Sequence, residues 1–448
     1  MVAAVGEHWS SRFAFIMASV GFAVGLGNIW RFPYITGENG GAAFVLVYLA
    51  CAFAIGLPVL MAELMIGRRG QASPPTAVAN VAARTQRSRN WKVIGGMGLL
   101  AAYTIEIVYA VVVGWVLWYL FKALVTGFAG MDVVTAEATF GAVLQDNPGM
   151  LFWTLVGLAI TGVIIHAGVQ KGIERAVSVM MPVMLLLLLG LAVYNYFAGG
   201  FGDAVRWLFT PDFSKLGWES VLAAIGQAFF SISVAMGGMM TYGSYLPQDI
   251  SIARSALIVV LADTFVALLA GLVIFPAVFK FGLDPAAGPG LIFQTLPVAF
   301  AQMPGGHLFA VVFFVILSVA GITSMVGLVE TVNAWVEERF GMARRNSSLV
   351  VVSSIALLSV LSLMSYNVIG ELSVGGRNFN ALLEDFSNLV LLPLGGLLIA
   401  LFAGWVMHRD DSRDELKTLG PGGFALWRTL VRFVVPPALL LIFLMGIT

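Results

Sequence analysis

Val20-Gly-Phe-Ala-Val-Gly-Leu-Gly-Asn28 interrupts an apolar run with three glycines, and Ser231-Ile-Ser-Val-Ala-Met-Gly-Gly238 makes a second interruption further along the chain. A glycine inside a helix costs about 1 kcal/mol relative to alanine, and it tolerates the dihedral angles of an unwound segment. Unwound backbone in hydrocarbon exposes N–H and C=O groups, which is tolerable only where they line a cavity or hold a ligand. A break therefore predicts a site. Gly21 and Gly25 also fit a small-xxx-small pair that lets two helices approach closely. Two breaks, each beside polar side chains, favour the site over simple packing.

The surrounding chain is 59% hydrophobic and 11% charged over 448 residues, far more apolar than an ordinary soluble domain. Crossing the hydrocarbon takes about 20 mostly apolar residues. Eleven segments qualify: 10–33, 40–67, 91–126, 151–168, 173–198, 218–246, 252–282, 304–337, 347–366, 381–407 and 429–447. The interrupted segments are the first and the sixth. That spacing matches transporters built from inverted five-helix repeats whose first helices are broken at mid-membrane. The expected fold is an all-α membrane protein in one integral domain. Its first five-helix repeat covers 1–198, its second 199–408, and a cytoplasmic loop with an eleventh span covers 409–448.

Lys and Arg in short loops stay on the cytoplasmic side. With the N-terminus inside, 18 of the 24 basic residues fall in inner segments and six fall outside, which predicts a cytoplasmic N-terminus and an external C-terminus. The lone Cys51 excludes an internal disulfide, and Glu7-His-Trp9 ahead of a long span carrying Asn28 and Arg31 is unlike a cleavable leader. His166 has no second histidine or cysteine at ligand spacing, so no transition-metal site is expected. P-loop, nucleophile-elbow and H-E-x-x-H signatures are missing, and no enzyme activity or nucleic-acid partner is expected.

Polar residues inside spans carry the functional reading. Ala320, Thr323 and Ser324 fall at i, i+3 and i+4 on one helix face, where hydroxyls and freed carbonyls suit a hard cation such as sodium. The alternative is that both hydroxyls bond back to their own helix. Asp263 lies mid-span, where an ionisable group costs at least about 2.5 kcal/mol and commonly marks an ion or substrate path. Its expected partners are Asn28 and Ser231. Glu63, Glu106 and Glu330 are the other carboxylates within spans, and Glu106 has no partner assignable from spacing.

Ala23-Val-Gly-Leu-Gly-Asn-Ile-Trp-Arg-Phe-Pro33, Glu38-Asn-Gly-Gly41, Lys171-Gly-Ile-Glu-Arg175, Gly226-Gln-Ala-Phe-Phe-Ser231, Thr241-Tyr-Gly-Ser-Tyr245 and Ala320-Gly-Ile-Thr-Ser324 resemble the neurotransmitter:sodium symporter family. The likeness runs over nearly the whole chain and is strongest to bacterial amino-acid transporters of the LeuT kind. It implies a LeuT-like inverted five-plus-five repeat with eleven transmembrane helices, two sodium ions and no organic cofactor. Sodium site one would comprise Ala23, Asn28, Ser231 and Asp263; site two would comprise Gly21, Val24, Ala320, Thr323 and Ser324. The substrate would meet Phe22, Ala23, Gly25, Leu26, Gly27, Ile105, Tyr109, Phe230, Ser231, Ser233, Met236, Ser324 and Leu328. Gly25 stands where amine-selective relatives carry aspartate, which argues for an amino acid over a biogenic amine. Arg31 with Asp385, or more weakly Glu384, resembles the outer gate, and Trp9 with Glu338 the inner one.

Three departures from the family pattern stand out. Asp263 replaces an asparagine, and Ala267 occupies the place of a nearby glutamate, so Asp263 is expected to supply the charge that chloride supplies elsewhere. Gly6 stands where an inner-gate arginine is usual, leaving Arg12 as a substitute. The chain ends after the eleventh span where many relatives have twelve, consistent with a monomer or weak dimer. The resemblance implies chloride-independent sodium symport of a hydrophobic or aromatic L-amino acid across a bacterial inner membrane. Glycine, betaine or a γ-amino acid as substrate, or a substrate-binding sensor, are the other readings.

Overall fold

The computed structural model describes residues 7–446, and the fold is entirely helical. Nine helices among the described residues are long and apolar enough to cross a membrane: Ala42–Gly70, Arg89–Val125, Asn147–His166, Val169–Ala198, Ile252–Lys280, Gly306–Phe340, Arg344–Met364, Phe379–Val406 and Lys417–Gly446. The pair Arg12–Ala23 and Gly27–Glu38, bent by 49°, makes a tenth. Trp218–Ile232 and Gly238–Ser244 complete the expected eleven as the broken sixth span, each half too short to cross alone.

Both breaks fall at the glycine clusters. The first half-helix is capped by Ser11, whose hydroxyl accepts from the Ala14 N–H at 3.1 Å, and it stops at Val24, where the backbone turns extended. In the sixth span the chain turns left-handed at Ser233, Ala235 and Gly237, with φ of 56°, 65° and 73°. Glycine adopts that region freely, whereas serine and alanine do so at roughly 1–2 kcal/mol each. That strain needs compensation from neighbouring contacts.

Those contacts come from the third and eighth spans, the most enclosed helices of the fold. Phe22 lies against Gly238 and Gly327, neither of which has room for a side chain, so the breaks and the eighth span lock around one ring. Gly67 packs on the Met240 carbonyl with no room for a Cβ, fixing the second half of the sixth span to the second span.

Two features differ from the sequence reading. The eleventh span begins at Lys417 instead of 429, because Gly420, Pro421 and Gly422 occupy a first helical turn, where proline's missing N–H costs nothing. Helices Val133–Gln145 and Leu291–Gln302 lie in the connections between spans, to which the sequence reading assigned no element, their apolar runs being too short for the spanning criterion.

Candidate substrate and ion site

The two breaks meet, and a polar cluster ties them together. Asn28 Nδ2 donates to Ser231 Oγ at 3.0 Å and to Asp263 Oδ1 at 2.7 Å, while Asn28 Oδ1 accepts from the Gly25 N–H at 3.1 Å. Ser231 Oγ also donates to the Asp263 carboxylate, 2.8 Å from Oδ2. All three side chains are fully buried. Asp263 thus joins the partners the sequence assigned to it.

The structure adds Tyr48, whose hydroxyl donates to Asp263 Oδ2 at 3.2 Å, and Gln227, whose Nε2 donates to the Gly27 carbonyl at 2.9 Å. Sequence reasoning assigned neither a role. A tyrosine isolated in the apolar second span was the available signal, but periodicity alone gives it no partner. Every donor to Asp263 is neutral, and no ion pair to it exists among the described residues. A buried carboxylate without counter-charge costs several kcal/mol. Ser231 Oγ and the Asp263 carboxylate oxygens, to which Asn28 turns its amide nitrogen, are oxygen ligands of the kind a hard monovalent cation such as sodium takes.

A second oxygen-rich face lies between the first and eighth spans. Gly21 approaches Thr323 so closely that an added Cβ would sit 3.4 Å from Thr323 Cβ. Ser324 Oγ donates to the Phe22 carbonyl at 3.3 Å. Thr323 Oγ bonds back to the carbonyls of Val319 at 3.0 Å and Ala320 at 3.1 Å, the alternative weighed for this triplet. Val24, extended with ψ of 96°, no longer holds its carbonyl in the helical ladder.

Between these clusters is a small cavity of about 20 Å³ lined by Phe22, Ala23, Gly25, Gly27, Ile105, Tyr109, Phe230, Ser233, Met236, Ser324 and Leu328. All of these are among the residues that the family resemblance implied for the substrate. Leu26 and Ser231 stand beside it, the Leu26 N–H donating to the Tyr109 hydroxyl at 3.0 Å. Amide N–H groups at the start of a half-helix suit a carboxylate, and the walls suit an apolar side chain. Ser233 Oγ donates to the Phe22 carbonyl at 3.0 Å across the two breaks.

Above this cavity opens a vestibule of about 400 Å³, whose wall shares Ile105, Tyr109 and Phe230 with it. Arg31 lies over the Phe230 ring, 4.6 Å from its centroid. Asp385 does not pair with Arg31: it binds Arg377 at 2.7 Å, because one residue further along the tenth helix turns it about 100° away from the vestibule. Glu384, the weaker candidate, lines the vestibule with Arg31.

At the opposite end, Trp9 is buried and its Nε1 donates to the Tyr242 carbonyl at 3.0 Å. Glu338 is not joined to it; its carboxylate accepts from the Ser73 N–H at 2.7 Å, capping the helix that starts there. Gly6 lies outside the described residues, and Arg12 is exposed with no ion pair among them. The cation found at this end is Arg344, which binds Glu330 at 2.6 Å, Glu7 at 3.4 Å and Glu337 at 3.5 Å, while Tyr245 donates to Glu330 at 2.8 Å. Arg344 went unnoticed because it reads as one more loop arginine; its partners come from distant helices.

The family model for the sodium:neurotransmitter symporter family matches residues 6–134 and 141–448. An uncharacterized sodium-dependent transporter of Bacillus subtilis, YhdH, is 37% identical over 97% of this chain and 96% of its own length. A similar sodium-dependent transporter of Haemophilus influenzae is 32% identical over 98% of this chain and 97% of its own. The crystal structure of MhsT in complex with L-phenylalanine superimposes with a TM-score of 0.91 at 39% identity, covering 98% of this chain and all of that one.

Proposed function

The chain belongs to the sodium:neurotransmitter symporter family, a family of sodium-dependent membrane transporters and not of enzymes, and on that premise we propose that it carries a hydrophobic or aromatic L-amino acid into the cell. The observation that carries this reading is the small cavity, with half-helix amides on one side and Phe22, Ile105, Met236 and Leu328 on the other. The L-phenylalanine bound to MhsT, whose fold matches over nearly the whole chain, supports the same substrate class.

In this reading a substrate carboxylate meets the amides of Leu26 and Gly27 and the Tyr109 hydroxyl, and its amine meets carbonyls near Ala23, Phe230, Ser231 and Ser233. One sodium is held by Ala23, Asn28, Ser231 and Asp263 together with that carboxylate; the other by Gly21, Val24, Ala320, Thr323 and Ser324. A ligand shared between ion and substrate makes each favour the other's binding reciprocally. Asp263 supplies the fixed negative charge, so transport is independent of chloride. Arg31 and Glu384 border the entry on the outer side, and the Arg344 cluster closes the cytoplasmic side of a bacterial inner membrane, with residues 1–198 and 199–408 as the two repeats.

The test is flux into proteoliposomes with a panel of labelled amino acids, with and without an inward sodium gradient. Sodium-driven uptake of a hydrophobic or aromatic L-amino acid, unchanged in gluconate medium, is the expected result. Uptake of glycine, betaine or a γ-amino acid alone would replace the substrate assignment, and binding with no flux would replace transport with sensing.

A further inference from the structure

Glu106 is fully buried in the third span, and neither of its carboxylate oxygens has a hydrogen-bond partner. It does not line the cavity, although Ile105 and Tyr109 do. Successive helical residues are about 100° apart, which turns position 106 away from the cavity wall. Residues seven apart share a face, and Val113 abuts Gly321 of the eighth span and Gly157 of the fourth. Glu106 therefore sits in the seam behind Tyr109, against the eighth span. Thr104, on the opposite side of the helix, bonds Ser387 of the tenth span at 2.8 Å.

The charged and titratable groups of the helices packed here are engaged elsewhere. Glu330 of the eighth span is bound by Arg344 of the ninth and Tyr245 of the sixth. On the tenth span, Glu384 faces the vestibule and Asp385 binds Arg377, while His166 ends the fourth span. Arg89 and Lys92 lie in the turn that begins the third span, three helical turns or more away, and Tyr103 donates to Ser354. Tyr109 lies three residues on, one turn along the same helix, and its hydroxyl accepts from the Leu26 N–H and stands beside Ser324, since a Cβ on Gly25 would meet both hydroxyls.

We propose that Glu106 is a proton-binding site whose proton is released when sodium enters the neighbouring oxygen sites, an exchange separate from Asp263. An ionised carboxylate without a partner in such surroundings costs several kcal/mol, so a positive charge must accompany it. A metal ion would need several oxygens converging on one point, and none is hydrogen-bonded to Glu106; no cluster of three candidate ligands exists among the described residues. A proton needs only the carboxylate. Sodium arriving at the Ser324 face, one hydroxyl away through Tyr109, supplies the positive charge that lets the proton depart. The balance is one O–H bond broken at Glu106, with its proton passed to water as one sodium ion is gained. The inference rests on the sodium sites proposed above.

The experiment adds sodium to purified, weakly buffered full-length protein and follows a pH dye, with radioactive sodium binding measured in parallel. Wild type is expected to acidify the medium, Glu106→Gln to bind sodium without acidifying it, and Glu106→Asp to retain release with a shifted pH midpoint. Sodium binding by wild type without proton release, or release from Glu106→Gln equal to wild type, would overturn the proposal. If Glu106→Gln does not fold, Glu106→Asp decides: a release midpoint identical to wild type overturns it. Absence of sodium binding altogether would instead count against the proposed function.

Discussion

Replacing Gly25 with alanine tests the geometry of the cavity most directly. A Cβ built on Gly25 falls 2.8 Å from the Tyr109 hydroxyl and overlaps Ser324 Oγ. Ser324 can rotate aside, but restoring ordinary contact near 3.4 Å requires Tyr109 to retreat by about 0.6 Å. Retreat from the new methyl lengthens the 3.0 Å bond from the Leu26 N–H by several tenths of an ångström, to the limit of hydrogen-bonding reach. A buried donor left unsatisfied costs about 1–3 kcal/mol, and overpacking adds about 1–3 kcal/mol more. Taking about 2 kcal/mol as the lower bound, substrate Kd should rise at least ~30-fold. Equilibrium binding of labelled amino acid in sodium chloride measures it. Gly96→Ala is the control, because a Cβ there meets nothing within 4 Å, and it should bind like wild type. A Gly25→Ala protein that binds within about threefold of wild type would refute the reasoning.

Three further outcomes follow from the same geometry. Asn28→Ala removes a charge-assisted bond to Asp263 and leaves the Gly25 N–H without its acceptor; at about 1.5–3 kcal/mol, the sodium concentration for half-maximal uptake should rise ~10- to 100-fold. Asp263→Asn deletes the fixed negative charge, so residual uptake should fall in gluconate and recover with chloride, whereas wild type should be indifferent to the anion; equal anion response in both would contradict the assignment. Arg344→Ala strands buried Glu330 without its counter-ion, at about 3–5 kcal/mol. It should lower Tm and accelerate substrate release, and adding Glu330→Gln should restore much of the loss; a double variant no better than Arg344→Ala would show that the pair is not what matters.

Much of the fold was legible because hydropathy and the two glycine clusters are one-dimensional signals: length decides spanning, and clustered glycines decide where helices stop. The cavity wall was legible only through resemblance, since Phe22, Ile105, Met236 and Leu328 are indistinguishable by periodicity from packing residues. What escaped depended on partners remote in sequence. Arg344 acquires its meaning from Glu7, Glu330 and Glu337, and Tyr48 from a carboxylate five spans further on. Asp385 and Glu384 are adjacent, so only the rotation of the tenth helix decides which one faces Arg31.

Ile105, Tyr109 and Phe230 are at once the floor of the larger chamber and the ceiling of the smaller. A partition one side chain thick has no independent upper and lower faces. Whatever stands on the floor holds the ceiling down, so a bulky solute resting there would trap a ligand underneath without touching it, and departure would become slow even where affinity is unaltered.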